Sequence, residues 1–196
     1  MSAPLIACEG LACLRGDRLL WRGVSLRIGS GEALHVTGAN GIGKSSLIRI
    51  LAGLLPPAAG TVERSGRTAL IDEAHALDRE LSLARALLFW AGIDERPAEA
   101  IPAALNRLGI AHLHDVPVRF LSTGQRKRAA LARLLVSEAP LWLLDEPGNG
   151  LDRDGLTLLE GLIAEHRAGG GAVLLASHLP LAMTGSSGMD LAEHRP

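Results

Sequence analysis

The chain of 196 residues has little cysteine, no excess of basic charge and no long apolar run. Its two cysteines, Cys8 and Cys13, are too few for a disulfide framework, and we interpret them as buried apolar residues in a reducing compartment. The net charge of -1 argues against a nucleic-acid-binding protein, which usually carries a basic excess. No apolar run approaches the roughly 18 residues of a membrane span, and the N-terminus does not resemble a secretory signal. These absences predict a globular domain without a membrane span, a disulfide scaffold or a nucleic-acid partner.

The residues that are abundant predict an α/β domain. Hydrophobic residues make up 47% of the chain, enough for a sizeable core in one domain. Apolar runs without alternation at 32–38, 141–147 and 171–178 predict strands covered on both faces, as in a parallel sheet flanked by helices. Segment 44–55 has the apolar spacing of a helix, which a double proline ends. The Ala-, Leu- and Arg-rich middle, roughly 75–135, predicts several more helices.

The stretch GANGIGKSS joins the first predicted strand to the first predicted helix, and it fits the pattern G-x-x-x-x-G-K-[ST]. Its glycines let successive backbone N–H groups converge on an anion, and the helix start adds its positive dipole end. Lys44 is expected to reach the β- and γ-phosphates of a nucleotide, and Ser45 to offer its hydroxyl to Mg²⁺. A glycine-rich turn that only caps a helix is the alternative, which the strand–loop–helix context disfavours. The predicted nucleotide-binding residues of the loop are Gly38, Ala39, Asn40, Gly41, Ile42, Gly43, Lys44, Ser45 and Ser46.

A second motif, LSTGQ at 121–125, opens a basic helix. Ser122 and Gln125 fit the S-x-x-Q pattern of a capping box. The pentapeptide also resembles the signature sequence of ABC-type ATPases, whose common form is LSGGQ. That resemblance implies that Ser122, Gly124 and Gln125 face the γ-phosphate bound by an opposite subunit, where the helix dipole favours negative charge.

The remaining motifs follow in the order of the ABC family. LWLLDEP resembles the Walker B strand, which implies that Asp145 holds Mg²⁺ and that Glu146 is the general base for the attacking water. Asp152 matches the aspartate of the D-loop, although the family usually has Ser-Ala where this chain has Asn-Gly. His178 matches the histidine that contacts the γ-phosphate. Taken alone, the acid pair could be a helix cap and the histidine an ordinary polar residue.

Two positions depart from the family pattern. Members with an aromatic A-loop carry a tyrosine that stacks on adenine, and this chain has Arg15 at that position. A guanidinium can also stack, so Arg15 is our adenine-binding candidate and Trp21 a second one, with a solvated surface arginine as the alternative. The family also carries a glutamine that ligates Mg²⁺ and relays the nucleotide state. The matching stretch, 70–82, has none; Ala74 aligns with it, and we assign that role to no residue.

Over nearly its whole length the chain resembles the ATP-binding subunits of haem exporters in bacterial cytochrome c maturation. This resemblance implies an ATP hydrolase that uses MgATP, forms a head-to-tail homodimer and drives integral membrane subunits at the cytoplasmic face of the inner membrane. It implies neither a nucleic-acid partner nor direct haem binding. The implied fold is an α/β P-loop NTPase with a parallel-sheet core, an N-terminal antiparallel β portion and an inserted helical lobe. The core lobe would cover about 1–70 and 136–196 of the single domain 1–196, and the helical lobe about 71–135.

Other functions stay open at this stage. One is an ABC ATPase of another small exporter, and a second is a soluble ATPase of the iron–sulfur-assembly type. A third is a nucleotide-binding module that hydrolyses poorly, which the missing glutamine permits. DNA-repair members are excluded because only about 75 residues separate the phosphate loop from the signature, with no sustained heptads. We interpret HLH at 112–114 as an exposed helix end rather than a haem or metal site.

Overall fold

A computed structural model describes residues 3–72, 76–178 and 181–196 of the chain. The strands of this described part are β1 (Ile6–Arg15), β2 (Arg18–Ile28), β3 (Ala33–Thr37), β4 (Ala59–Arg64), β5 (Thr68–Ile71), β6 (Leu141–Asp145), β7 (Ala172–Ala176) and β8 (Ser187–Asp190). The helices are α1 (Lys44–Ala52), α2 (Leu83–Ile93), α3 (Ala100–Arg107), α4 (Thr123–Ser137) and α5 (Arg153–Ala168). Short 3₁₀ helices cover Ala111–Leu113, Val118–Phe120 and Leu191–His194.

The described residues divide into two compact units. The first takes in the described parts of Met1–Leu70, Ala139–Glu146 and Leu162–Pro196, and the second those of Ile71–Glu138 and Pro147–Gly161. The sequence-based boundaries place all of 136–196 in the core lobe, whereas segment 147–161 belongs to the helical unit in the structure. One local reason is close packing, since a Cβ added at Gly150 would lie 3.0 Å from the Thr123 methyl group on α4.

Two sheets organise the strands. The antiparallel sheet has the order β2-β1-β4, and the larger sheet has the order β5-β6-β7-β3-β8. Strand β3 pairs in parallel with β7 and β8, and β6 pairs in parallel with β7. The predicted parallel core and N-terminal antiparallel portion are therefore confirmed. Because β3, β6 and β7 run in one direction, their carboxyl ends meet at the same edge, where α/β sheets bind their ligands.

The three core strands predicted from apolar runs are confirmed as β3, β6 and β7, and every residue of β6 and β7 is buried. Helix α1 is also confirmed, but it ends at Ala52, before the double proline. Gly53 ends it, because this glycine adopts the left-handed conformation (φ 80°) and its N–H donates to the Ile50 carbonyl (3.0 Å). The buried apolar face of α1 packs against β1, β6 and β7.

The second unit is built mainly from helices. Helices α2, α3 and α4 pack against one another. Their apolar side chains form its interior, among them Leu83, Leu87, Leu105 and Leu131, each no more than 2% exposed. The helices predicted for the middle of the chain are thus present. Within the described ranges, none of the helices has the length and apolar character needed to cross a bilayer.

Candidate active site

Three glycines with positive φ shape the loop between β3 and α1. Gly38, Gly41 and Gly43 have φ values of 137°, 77° and 107°, which side chains with a Cβ rarely adopt. The Ile42 N–H donates to the Ala39 carbonyl (3.2 Å) and closes the turn. The loop therefore runs directly into the N-terminus of α1, whose unpaired backbone N–H groups and dipole favour a phosphate.

Trp21 on β2 supports this loop and does not offer an adenine platform. Its side chain is fully buried, with 0% exposure. A Cβ added at Gly43 would lie 2.6 Å from the indole Nε1, so the ring packs against the backbone at the start of α1. The suggestion that Trp21 stacks on adenine is wrong, because a ring with no exposed surface cannot receive a base.

Lys44 is the first residue of α1, and its side chain is buried along the loop. Its Nζ donates to the Gly38 carbonyl (2.8 Å) and lies 3.4 Å from the Ala39 carbonyl. The ammonium group is thus directed back over the loop that precedes it. Phosphate oxygens are charged acceptors and would compete well for the same protons.

Arg15 lies at the end of β1, and its side chain is exposed. It pairs across the β1–β2 turn with Arg18. The pKa of the nearby Cys13 thiol is raised, mainly because the thiol is buried. A hydrogen bond with the Ser46 side chain and the charge of Arg15 offset part of this increase. The contact between Cys13 and Ser46 places this part of β1 beside the first turn of α1. The adenine-binding role of Arg15 stays a prediction.

Both cysteines are free and buried, as predicted.

The two acids of the Walker B motif lie at the carboxyl end of β6. Asp145 ends the strand opposite Ala176 of β7 and is buried, with 3% exposure. The Glu146 N–H donates to the Ala176 carbonyl (2.8 Å), which extends the pairing by one residue beyond the strand. Glu146 has a φ of 47°, which is costly for a residue with a Cβ and is often found at functional sites.

Glu146 and His178 form a hydrogen-bonded pair, which the sequence alone did not predict. The His178 Nδ1 lies 2.9 Å from Oε2 of Glu146. The backbone N–H of His178 approaches the same oxygen at 3.4 Å. The Glu146 side chain is 13% exposed and that of His178 is 52% exposed, so the pair extends from the strand ends towards solvent. Since a carboxylate only accepts, the Nδ1 atom must carry the proton in this contact.

The residues predicted to hold Mg²⁺ suit that ion. Ser45 is exposed in the first turn of α1, and Asp145 ends β6, against which α1 packs. A hydroxyl and a carboxylate supply only hard oxygen ligands, the type that Mg²⁺ prefers. The stretch that aligns with the family's glutamine centres on Ala74, and residues 73–75 lie outside the described part of the chain.

The signature motif is in the second unit, at the start of α4. The Ser122 Oγ accepts from the Gln125 N–H (3.2 Å), and the Gln125 Oε1 accepts from the Ser122 N–H (2.8 Å). The predicted capping box is therefore confirmed. The capping box orders the N-terminus of α4, and Ser122 is exposed there. A helix N-terminus that binds an anion needs both an ordered start and access to solvent.

The D-loop lies beside this helix start within the same unit. A Cβ added at Gly124 would lie 3.5 Å from the Gly150 carbonyl. Asp152 is held by the Gly155 N–H (2.8 Å) and by Arg128 Nη2 (3.4 Å), and the Gly155 contact is the main cause of its lowered pKa. His112 is exposed on a 3₁₀ helix, as expected, and it lines a cavity together with Ser122, Gly124 and Arg128. The sequence did not predict that His112 would face the signature motif.

A phosphate loop, a strand ending in Asp-Glu and a capped signature helix together define an ATP-binding domain of the ABC class. The family model described as ABC transporter matches residues 21–149. An ABC transporter ATP-binding protein from Pyrococcus furiosus superposes with a TM-score of 0.85 at 22% identity, covering 97% of this chain and 99% of its own. CbiO1 from Clostridium perfringens, part of the ABC transporter complex CbiONQ, gives a TM-score of 0.72 at 28% identity, covering 91% and 80%. The predicted fold class is thus confirmed.

Curated relatives show which group within the ABC family the chain is similar to. The cytochrome c biogenesis ATP-binding export protein CcmA of Sphingopyxis alaskensis is 58% identical, over 91% of this chain and 92% of its own length. The protein of the same name from Novosphingobium aromaticivorans is 60% identical, over 91% of each. The chain therefore belongs to the ABC transporter family of ATPases and, within it, to the CcmA group. This confirms the resemblance drawn from the motifs.

Proposed function

We propose that this chain is the ATP-hydrolysing subunit of an exporter that serves cytochrome c biogenesis, and that haem is the molecule delivered. It would act at the cytoplasmic face of the inner membrane, bound to integral membrane subunits. The observation that carries the proposal is the close likeness to CcmA proteins along almost the whole chain. The geometry of the first unit supports the hydrolytic part, because the residues that the reaction needs lie at one end of the parallel sheet.

Phosphoryl transfer needs positioning and charge stabilisation more than covalent chemistry. The loop of 38–46 would hold the phosphates through its backbone N–H groups, and Lys44 would exchange its bonds to the loop carbonyls for bonds to phosphate oxygens. Mg²⁺, bound through Ser45 and Asp145, would neutralise charge on the β- and γ-phosphates. Glu146 would take the proton of the attacking water, and His178 would contact the γ-phosphate while its Nδ1–H orients the Glu146 carboxylate.

The second half of each site would come from another copy of the chain. Ser122 and the Gly124 amide at the start of α4 would contact the γ-phosphate held by the partner's loop, as the family resemblance implies. A two-fold, head-to-tail dimer satisfies this requirement twice, because the same two surfaces then meet at both sites. Asp152 would lie at this interface through its place in the D-loop. No direct contact between this chain and haem is part of the proposal.

The cellular role is tested by deleting the gene in its own host and measuring haem attachment to c-type cytochromes by haem staining. We expect holocytochrome c to be lost while apocytochrome is still made, and to return with the wild-type gene. The Glu146→Gln gene should not restore it, because that variant keeps the fold and loses the base. Normal holocytochrome c in the deletion strain would contradict a role in cytochrome c biogenesis.

The partner is tested by capturing the tagged chain from detergent-solubilised membranes. Integral membrane proteins should co-purify, and Lys44→Ala is a matched control because it weakens nucleotide binding without altering the surface of the second unit. Capture of a soluble iron–sulfur scaffold in place of membrane proteins would support the alternative function. Phosphate release from MgATP by the captured complex, with Lys44→Ala as the inactive control, separates an ATPase from a module that only binds nucleotide.

A further inference from the structure

His35 is a polar residue at the centre of strand β3, whose other residues are apolar except for Thr37 at its end. Its strand neighbours Leu34 and Val36 are buried, and the His35 side chain is partly buried between them in sequence. Strand β3 is covered on both edges, because His35 pairs with Leu175 of β7 and with Gly188 of β8. A polar ring at this position needs a hydrogen-bond partner, because burying an unpaired polar group costs more free energy than burying an apolar side chain.

The partner of this ring is the backbone carbonyl of Ser177. The His35 Nε2 lies 3.1 Å from that oxygen. A carbonyl only accepts, so the Nε2 atom carries the proton in this contact. Ser177 is itself buried, with 1% exposure, and follows directly after β7. The bond therefore ties the middle of β3 to the point where the chain leaves β7.

That carbonyl belongs to the same peptide group as the backbone N–H of His178. A peptide group is planar, so fixing its carbonyl also fixes the direction of its N–H. The N–H points to Oε2 of Glu146 (3.4 Å), the oxygen that also accepts from the His178 ring (2.9 Å). One peptide plane is thus held from its carbonyl side by His35 and from its amide side by Glu146.

We propose that His35 is a positioning residue for ATP hydrolysis, which sets the orientation of the 177–178 peptide and thereby of the Glu146–His178 pair. The proposal rests on the proposed roles of Glu146 and His178 in hydrolysis. It assigns His35 no contact with ATP or with the reacting water. The effect should therefore fall on the rate of the chemical step, with little effect on nucleotide binding.

The test compares His35→Leu with His35→Gln. Leucine fills the strand position and removes the donor, whereas the glutamine amide nitrogen lies near the position of Nε2 and can still donate. We expect His35→Leu to lower kcat by about ten-fold or more, with the KM for ATP within about two-fold of wild type. His35→Gln should restore most of the rate. His114→Leu is the matched control, since it removes an exposed histidine ring from the other unit.

A second readout does not depend on turnover. In ¹⁵N-labelled protein the His178 ring signal, assigned through its loss in His178→Gln, reports the protonated Nδ1 that bonds to Glu146. We expect His35→Leu to shift this signal and His35→Gln to return it. An unshifted His178 signal in a folded His35→Leu protein would overturn the proposal, and so would a His35→Gln protein as slow as His35→Leu. Wild-type hydrolysis by Glu146→Gln would instead refute the proposed base, a separate outcome from the His178 spectrum.

Discussion

The Lys44 side chain is buried, and its charged ammonium group is hydrogen-bonded to the loop itself. Its Nζ donates to the Gly38 carbonyl at 2.8 Å, so the side chain is already ordered along the loop. Lys44→Ala removes the cation of the loop that would bond the phosphates. Hydrogen bonds to charged groups contribute roughly 1.5–3 kcal/mol each, so ATP affinity should fall by about 100-fold or more. Calorimetric titration with ATP measures this, after thermal unfolding has shown that the variant folds. An unchanged affinity would contradict the assignment of the loop.

For Arg15 we predict a smaller loss of ATP affinity than for Lys44. If its guanidinium stacks on adenine, Arg15→Ala should weaken ATP binding by about 1 kcal/mol, and Arg15→Tyr should bind nearly as well as wild type. The structure supplies a matched control in Arg18, which faces Arg15 across the hairpin turn. Arg18→Ala should have a smaller effect on the same titration. Equal losses for the Ala and Tyr variants at position 15 would show that the arginine does not act as a stacking platform.

At this scale the sequence predicted residues that lie in contiguous motifs and missed those that meet only through the fold. The glycine spacing in 38–46 reports a backbone requirement directly, because positive φ restricts the residue type. The bond from His35 to Ser177 joins positions 142 apart in the chain, and no local pattern marks it. Trp21 was misjudged for the same reason, since its burial against Gly43 depends on how β2 packs on the loop.

At the scale of the elements, β6 and α5 are joined by stacked rings of Trp142 and His166, and the protonation of His166 affects the stability of the fold. The His166 ring lies 3.8 Å from the Trp142 ring at an angle of 7°. The His166 Nε2 is buried, and the ring forms hydrogen bonds with the backbone of Pro140 and Ala172. Burial lowers the pKa of His166 below its ordinary value of 6.5, and these hydrogen bonds offset only part of that effect. The folded chain therefore resists a proton that the unfolded chain accepts.

The sign of the resulting pH dependence follows from this difference. Because the folded pKa is the lower one, the His166 contribution to the free energy of unfolding is fully present above the ordinary pKa. It is lost as the pH falls through the folded pKa. Denaturant unfolding between about pH 7.5 and about pH 5 should show a smaller loss of stability for His166→Gln than for wild type. Parallel slopes for the two proteins would exclude His166 as the titrating group.

Element boundaries were predictable where a local signal ends the element. The capping box at Ser122 marked the start of α4 correctly. The end of α1 was placed too late, because a left-handed glycine stops the helix before the prolines do. The grouping of segment 147–161 with the helical unit had no sequence signal, since it depends on packing between parts of the chain that are distant in sequence, of which Gly150 beside Thr123 is one example.

For the whole molecule, the central proposal is that each site takes its two halves from different copies of the chain. The loop, Glu146 and His178 would come from one copy, and Ser122 with Gly124 from the other. In this arrangement hydrolysis would remove the γ-phosphate that bridges the copies, so the wild-type dimer should be short-lived. Glu146→Gln keeps the shape of the side chain and removes the base, and it should therefore accumulate as a dimer with bound MgATP.

The most direct test is the mass of the Glu146→Gln chain in solution, measured by light scattering after size exclusion, with and without saturating MgATP. We predict a single-chain mass without nucleotide and twice that mass with MgATP. Adding Ser122→Arg should return the mass to that of one chain, because bulk and positive charge would then occupy the place of the partner's phosphate contact. A Glu146→Gln chain that binds MgATP and stays monomeric, or a Ser122→Arg double variant that still dimerises, would contradict a site shared between two copies.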